Sequence, residues 1–222
     1  MLAATERAER RTEPDFVLLN AAEGCAYQVD ETLRAPVRET VLTPGRADLA
    51  LMRADTACHE AVAADPGRRA GVLAAVRHDH RPEDVPSLRA LLRHGVRAGD
   101  PADLLSGAAA PLARYGDAAD HALLLTLRGA LPGLPSSAKD LVRWATDAFR
   151  AGAPAPEDEP PLFWARLARL QGQTELARVT LIRLLDDAGP RDDALVAGLV
   201  GEFEALGDAW QAERARRLLP RG

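Results

Sequence analysis

The stretch Pro161–Leu219 reads PLFWARLARLQGQTELARVTLIRLLDDAGPRDDALVAGLVGEFEALGDAWQAERARRLL, and a short pattern occurs in it twice. Leu170-Gln-Gly172-Gln-Thr-Glu-Leu-Ala177 is echoed by Leu206-Gly207-Asp-Ala-Trp-Gln-Ala212. In each, a Gly closes one apolar-periodic segment, and an Ala five residues on lies inside the next. Both Gly172–Gly207 and Ala177–Ala212 are 35 residues apart. A helix–turn–helix unit recurring at such a period is the mark of a helical solenoid, because each unit is too small to bury its own apolar face and must stack on its neighbour.

Working outward, the same grammar extends over most of the chain. Pro14-Asp15 reads as a helix start, followed by Phe16, Val17, Leu18, Leu19, Ala22, Cys25, Ala26 and Val29 at helical spacing. Thr32–Gly45 is the least helical region: Pro36 and Pro44 interrupt it, and Val37, Thr40, Val41 and Thr43 are β-branched. It predicts a short helix or extended connector, and any strand in the protein would lie there. Helical spacing resumes over Arg46–Ala64 and stops at Asp65-Pro66-Gly67. Further helices are expected over Arg68–Arg77, Val85–Val96, Ala102–Tyr115 and Ala118–Leu131, then one capped by Ser136 or Ser137 and running through Phe149. Beyond Gly152–Pro160 four more are expected, at 161–171, 173–187, 191–206 and 208–219. The expectation is an all-α, right-handed α-solenoid of about eleven short helices stacked as antiparallel hairpins. Its parts are a lead-in (1–13), a helical repeat region (14–151), a Pro- and acid-rich linker (152–160) and C-terminal hairpins (161–222).

The stretch 161–219 resembles tetratricopeptide (TPR) repeats. Gly172/Ala177 and Gly207/Ala212 match that family's helix-closing Gly and the small residue where its two helices cross. Ala165 and Ala168 match its small positions in the first helix; Leu181 replaces its usual aromatic, and its closing Pro is displaced to Pro190. Residues 84–131 are similar to HEAT repeats, with an Asp-Pro turn at Asp100-Pro101, an Ala-rich second helix and a restart at Gly116-Asp117. Both resemblances imply superhelices that mostly bind proteins or peptides, and in some cases nucleic acid. They imply architecture more than chemistry.

Composition narrows the classes further. The 222 residues are 47% hydrophobic, 27% charged and only 4% aromatic, which suits a Leu/Ala/Val helical core. Lys139 is the only lysine; the other basic residues are arginines, as codon bias in a GC-rich bacterial genome would give. A net charge of −5 disfavours a general nucleic-acid binder, which needs cationic excess. Two cysteines, Cys25 and Cys58, make no disulfide framework. Residues 1–15 lack a signal-peptide core, and no run reaches the about 20 apolar residues of a membrane span. A cytoplasmic protein with no membrane partner is expected.

Candidate chemistry is sparse. His78 and His80, with Asp84, are the densest metal-capable set, since imidazole and carboxylate together suit Zn²⁺. In a helix, residues i and i+2 point apart, so convergence needs an extended turn, and an ordinary solvated turn is the plainer reading. Cys58 and His59 are neighbours whose side chains diverge, and Cys58 reads as a small core residue. The tryptophans at 144, 164 and 210 read as core or inter-repeat packing; Trp164, beside the linker, is the candidate surface anchor. Arg169, Arg178 and Arg214 belong to a locally basic C-terminal part that would face an acidic peptide or a phosphate backbone. The chain has no GxGxxG, Walker, GxSxG or HExxH motif, and no cofactor is expected. These residues favour a non-enzymatic repeat protein that binds a protein or peptide on its concave face. The alternatives are a nucleic-acid-binding or DNA-repair protein of HEAT-like glycosylase type, and a metal-dependent enzyme built on the His78/His80 turn. An apolar solenoid end would also allow a homo-oligomer.

Overall fold

The computed structural model describes residues 37–131, 133–151, 155–189 and 192–220. The chain divides into two units, 1–39 and 40–222. Of the first, only 37–39 are described, and they are helical. The expected lead-in, the helix over 14–29, Cys25, Pro190 and part of the 152–160 stretch lie outside the described residues.

The second unit is all-α, with no strand among the described residues. Its helices are α1 (40–54), α2 (His59–Ala64), α3 (Pro66–His78), α4 (Val85–Ala98), α5 (Ala102–Tyr115) and α6 (Ala118–Leu127). After these come α7 (Ala138–Ala151), α8 (Pro161–Leu170), α9 (Thr174–Asp187), α10 (Asp193–Ala205) and α11 (Ala209–Arg216). The boundaries follow from local chemistry. Asp65 accepts the Arg68 N–H with its side chain and is followed by Pro66 at the first helical position, so it starts α3 rather than merely ending what precedes. Asp117 caps α6 through the N–H groups of Ala119 and Asp120, and the Ser137 hydroxyl accepts the Asp140 N–H at the head of α7.

The repeated glycine turn is real in backbone terms. Gly172 and Gly207 have φ of 76° and 73°. At the first, the Gln173 N–H reaches back to the Ala168 carbonyl at 2.9 Å; at the second, the Asp208 N–H reaches Phe203 in the same way, also at 2.9 Å. This six-residue closure satisfies a helix's last carbonyls and requires a left-handed residue, which glycine adopts without Cβ strain. Gly99 closes α4 identically, with Asp100 bonded to Gly95. The residues matched to small TPR positions, Ala165, Ala168, Ala177 and Ala212, are all buried.

Two local expectations give way. Residues 37–54 are helical and continue through Pro44, where a short helix or extended connector interrupted by the prolines was expected. Burial overrides propensity there: Val41 and Leu42 are fully buried. Gly45 also lies so close to α3 that a Cβ on it would stand 2.0 Å from the Gly71 carbonyl oxygen. The expected single helix over 46–64 is instead broken at Asp55, which caps a short 3₁₀ turn at Thr56–Cys58 through the Ala57 N–H.

From α3 to α7 and from α9 to α11 each helix packs on its predecessor, and α2/α4, α3/α5, α5/α7 and α8/α10 pack two apart. The 151–161 junction departs from this order, because α8 takes α3 as its partner from the first half. Arg69 through Val76 are consequently all buried, so α3 is covered on every face. A helix sealed all round needs small residues on several sides, and Ala70, Gly71, Ala74 and Ala75 supply them.

Candidate functional site

The His78–Asp84 turn joins α3 to α4, and its side chains leave in different directions. His78 stacks on Trp164 of α8, with ring centroids 6.2 Å apart. His80 meets Phe149 of α7 edge-on at 4.7 Å and lies 6.2 Å from Tyr115 of α5. Asp84 is fully buried and held by Arg53 of α1, whose Nε and Nη2 donate to its two oxygens at 2.8 and 2.9 Å. The Arg81 N–H adds a third bond at 2.7 Å. Arg53 also donates to Asp79 at 2.8 Å, which holds that carboxyl below its usual range. Burial lowers the His80 imidazole, against the opposing pull of the Val76 carbonyl and the nearby Asp84 and Asp79. The three metal candidates therefore have separate protein partners. Among the described residues, no group of three or more His, Cys, Asp or Glu side chains is placed to hold a metal ion.

Arg53–Asp84 belongs to a series. Arg89 grips Asp120 through Nε and Nη2, and the Asp117 N–H donates to Asp120 at 2.9 Å. All three groups stand 36 residues after Arg53, Asp84 and Arg81. Arg69 holds Asp100 in the same two-pronged way, at 2.7 and 3.0 Å. Each pair spans 31 residues and ties a helix to the head of one farther along the chain. The signal lay in the sequence: Asp48-Leu-Ala-Leu-Met-Arg53 and Asp84-Val-Pro-Ser-Leu-Arg89 share an acid, an apolar and an arginine position.

The candidate partner-binding residues are also largely engaged within the chain. Arg169 donates to Glu202 at 2.8 Å. Arg178 pairs with Glu175 and Asp208, and Arg214 pairs with Asp186. Trp164 is 7% exposed, packed against His78 and edge-on to Phe163, so it is an internal contact rather than a surface anchor. The exposed tryptophan is Trp210, at 70%. In α11 Ala212 and Ala215 are buried, while Trp210 and, past its end, Leu218 face solvent. Trp144 is half-buried.

The lone groups have ordinary partners. Cys58 is half-exposed, not core, and its thiol donates to the Asp55 carbonyl. His59 takes the buried place instead, with Nε2 2.7 Å from the Met52 carbonyl and 3.2 Å from the Ser87 hydroxyl. His94 bonds Glu60, whose carboxyl it holds low, and His121 bonds the Ala113 carbonyl.

Beside the Trp164–His78 stack, polar ties also join α8 and its approach to the first half. Arg77 of α3 grips Glu159, which is buried in the stretch read as linker. Arg166 of α8 bonds Asp103 of α5 at 2.6 Å and Glu202 of α10 at 2.5 Å. The Gln171 side chain donates to the Val41 carbonyl at 2.7 Å. Beside that bond a cleft of about 270 Å³ opens between α1, the start of α3 and the Gln171–Gln173 turn. Among the described residues, no helix is long and apolar enough to cross a membrane. No protein-family model, curated protein or solved structure matches the chain.

Proposed function

We propose that the protein is a non-enzymatic helical-repeat protein that binds a protein or peptide partner, its helices stacked as antiparallel hairpins in a right-handed solenoid. The contacts two helices apart support the repeat. Leu162 of α8 lies against Gly198 of α10, and Arg166 and Arg169 farther along α8 reach Glu202. The two helices thus advance in the same direction. The α9 and α11 pair advances likewise, with Arg178 meeting Asp208 and Asp186 meeting Arg214.

The observation that carries the binding role is Trp210. A tryptophan 70% exposed, on the side of α11 away from Ala212 and Ala215, contributes nothing comparable to the core. Large aromatics of this kind are the residues that anchor partners, because they bury much area for little lost rotamer freedom. Val179 of α9 and Leu218, just beyond the end of α11, are also exposed. A nucleic-acid role is less well supported: the arginines at 53, 69, 77, 89, 166, 169 and 214 are paired with carboxylates and would have to exchange them for phosphates. A metal enzyme would need His78 and His80 to leave their aromatic neighbours.

Affinity capture from the source cells, run in parallel with the protein and its Trp210→Ala variant, tests this. A protein retained by the first and lost by the second supports the role. Identical captures, or capture abolished by nuclease, would count against it.

A further inference from the structure

Four helices begin 36 residues apart: α3 at Pro66, α5 at Ala102, α7 at Ala138 and α9 at Thr174. Residues in step along them are buried alike, and Leu73, Ala109, Ala145 and Leu181 all have no exposure. The pattern breaks on one side of α7. Val76, Leu112 and Leu184 are buried, but Ala148, in the same place, is exposed. In α6, Leu127 is half-buried where Leu91, Phe163 and Leu199 are buried. The packing gives the reason. The next helix lies on α5 (α6) and on α9 (α10), whereas α8, which follows α7, lies against α3, α9 and α10. At the α9–α10 seat, Leu181, Leu184 and Leu185 share one core cluster with Val196, Leu199 and Phe203. The corresponding seat on α7 is left open.

We infer that this open side of the α6–α7 hairpin seats an amphipathic helix from the partner whose binding is proposed above, apolar at positions i, i+3 and i+7 and acidic near its C-terminal end. The apolar spacing is that of Val196, Leu199 and Phe203, which α10 contributes to its cluster with α9. Trp144, half-buried one turn before Ala148, supplies an aromatic anchor. The charge follows from the hairpin turn. Arg128 caps the end of α6 and Lys139 is the second residue of α7. Both are exposed, and neither has a carboxylate partner among the described residues. The nearby cations Arg143 and Arg150 are already paired, with Asp140 and Asp147. A helix running parallel to α6, as α10 runs parallel to α8, ends beside Arg128 and Lys139. Their charges favour its negative dipole end and an acidic side chain there. The chain holds its own example: Glu202, in the last turn of α10, is gripped by Arg166 and Arg169 of α8.

The probe is a fluorescein-labelled peptide of residues 193–205, DALVAGLVGEFEA, carrying Gly201→Ala to raise its helicity. It is titrated with the full chain and followed by fluorescence anisotropy. Saturable binding is expected, and Ala148→Glu should weaken it about 10-fold or more at unchanged thermal midpoint. Arg128→Glu combined with Lys139→Glu should weaken it about 10-fold, and a peptide carrying Glu202→Lys and Glu204→Lys should restore binding to that double variant. No anisotropy change up to about 0.5 mM chain, or binding indifferent to Ala148→Glu, overturns the inference. So does a dimer dissociated by Ala148→Glu in sedimentation equilibrium, which would give the seat to a second copy. Loss of the peptide on Trp210→Ala with retention on Ala148→Glu would place it on α11 and likewise overturn the inference. The peptide assay needs no cellular partner. Capture lost on Trp210→Ala, together with no peptide binding, would therefore sink the α7 seat and leave the partner-binding role standing.

Discussion

Arg53 and Asp84 form a two-pronged ion pair, 2.8 and 2.9 Å long, in which the carboxylate has no solvent exposure and the arginine side chain 14%. Arg89 and Asp120 repeat it 36 residues later, with the carboxylate 1% exposed. In each pair the carboxylate has no water to fall back on and depends on its arginine for neutralisation.

Removing one partner should therefore be costly. Arg53→Ala leaves the Asp84 carboxylate buried with only the Arg81 N–H, and a loss of about 3 kcal/mol is expected by urea denaturation. Asp186→Ala, whose pair with Arg214 is 51% and 40% exposed, should change stability by no more than about 0.5 kcal/mol. Equal losses at the two sites would show that burial does not set the cost of breaking the pair.

Glycine substitutions should separate backbone strain from crowding. Gly172→Ala and Gly207→Ala each place a Cβ on a left-handed residue with open space around it, for a cost of about 1 kcal/mol. Gly45→Ala should cost more, because its Cβ would collide with the backbone of Gly71. Gly129, which has neither positive φ nor a neighbour within reach, should tolerate alanine with no measurable loss. Thermal midpoints of the four variants rank these costs.

The two tryptophans should behave oppositely. Trp164→Ala removes a buried ring from the α3–α8 contact, and a loss of about 3–5 kcal/mol is expected. Trp210→Ala should stay within about 0.5 kcal/mol of the parent. Iodide quenching of fluorescence provides the companion readout: most of the quenchable emission should vanish with Trp210.

Acid should destabilise the fold in two stages. The folded-state pKa of His80 is lowered from 6.5, so the unfolded chain binds its proton first. Stability is therefore full above about pH 6.5 and falls as pH drops from there toward the folded value. Asp79 and Asp120 are lowered from 3.8, chiefly by Arg53 and Arg89 respectively, so their contributions persist to about pH 3.8 and are lost below it. Denaturation measured from pH 7 to pH 3 should show both stages. His80→Gln should flatten the first and leave the second; an unchanged slope between pH 6.5 and 5 would assign the first stage to another group.

Much of this molecule was legible in the order of its residues. The glycine-closed helices of 161–219, the break at Asp65-Pro66-Gly67, the Asp117 restart and a cap at Ser136 or Ser137 are local events, decided by φ preferences and by side chains that reach N–H groups two or three residues away. Periodic Leu, Ala and Val then fixed the all-helical class. The candidate site was less legible. His78, His80 and Asp84 stand together in the chain, yet their directions depended on Trp164, Phe149 and Arg53, 31 to 86 positions distant. Trp164 and Trp210 occur in similar amphipathic contexts, and periodicity gave no reason to bury one and expose the other. The docking of α8 onto α3 buried Trp164, and the burial of Val41 and Leu42 carried helix through Pro44. Long-range burial supplies more free energy than local propensity, so where the two disagree the tertiary contact prevails.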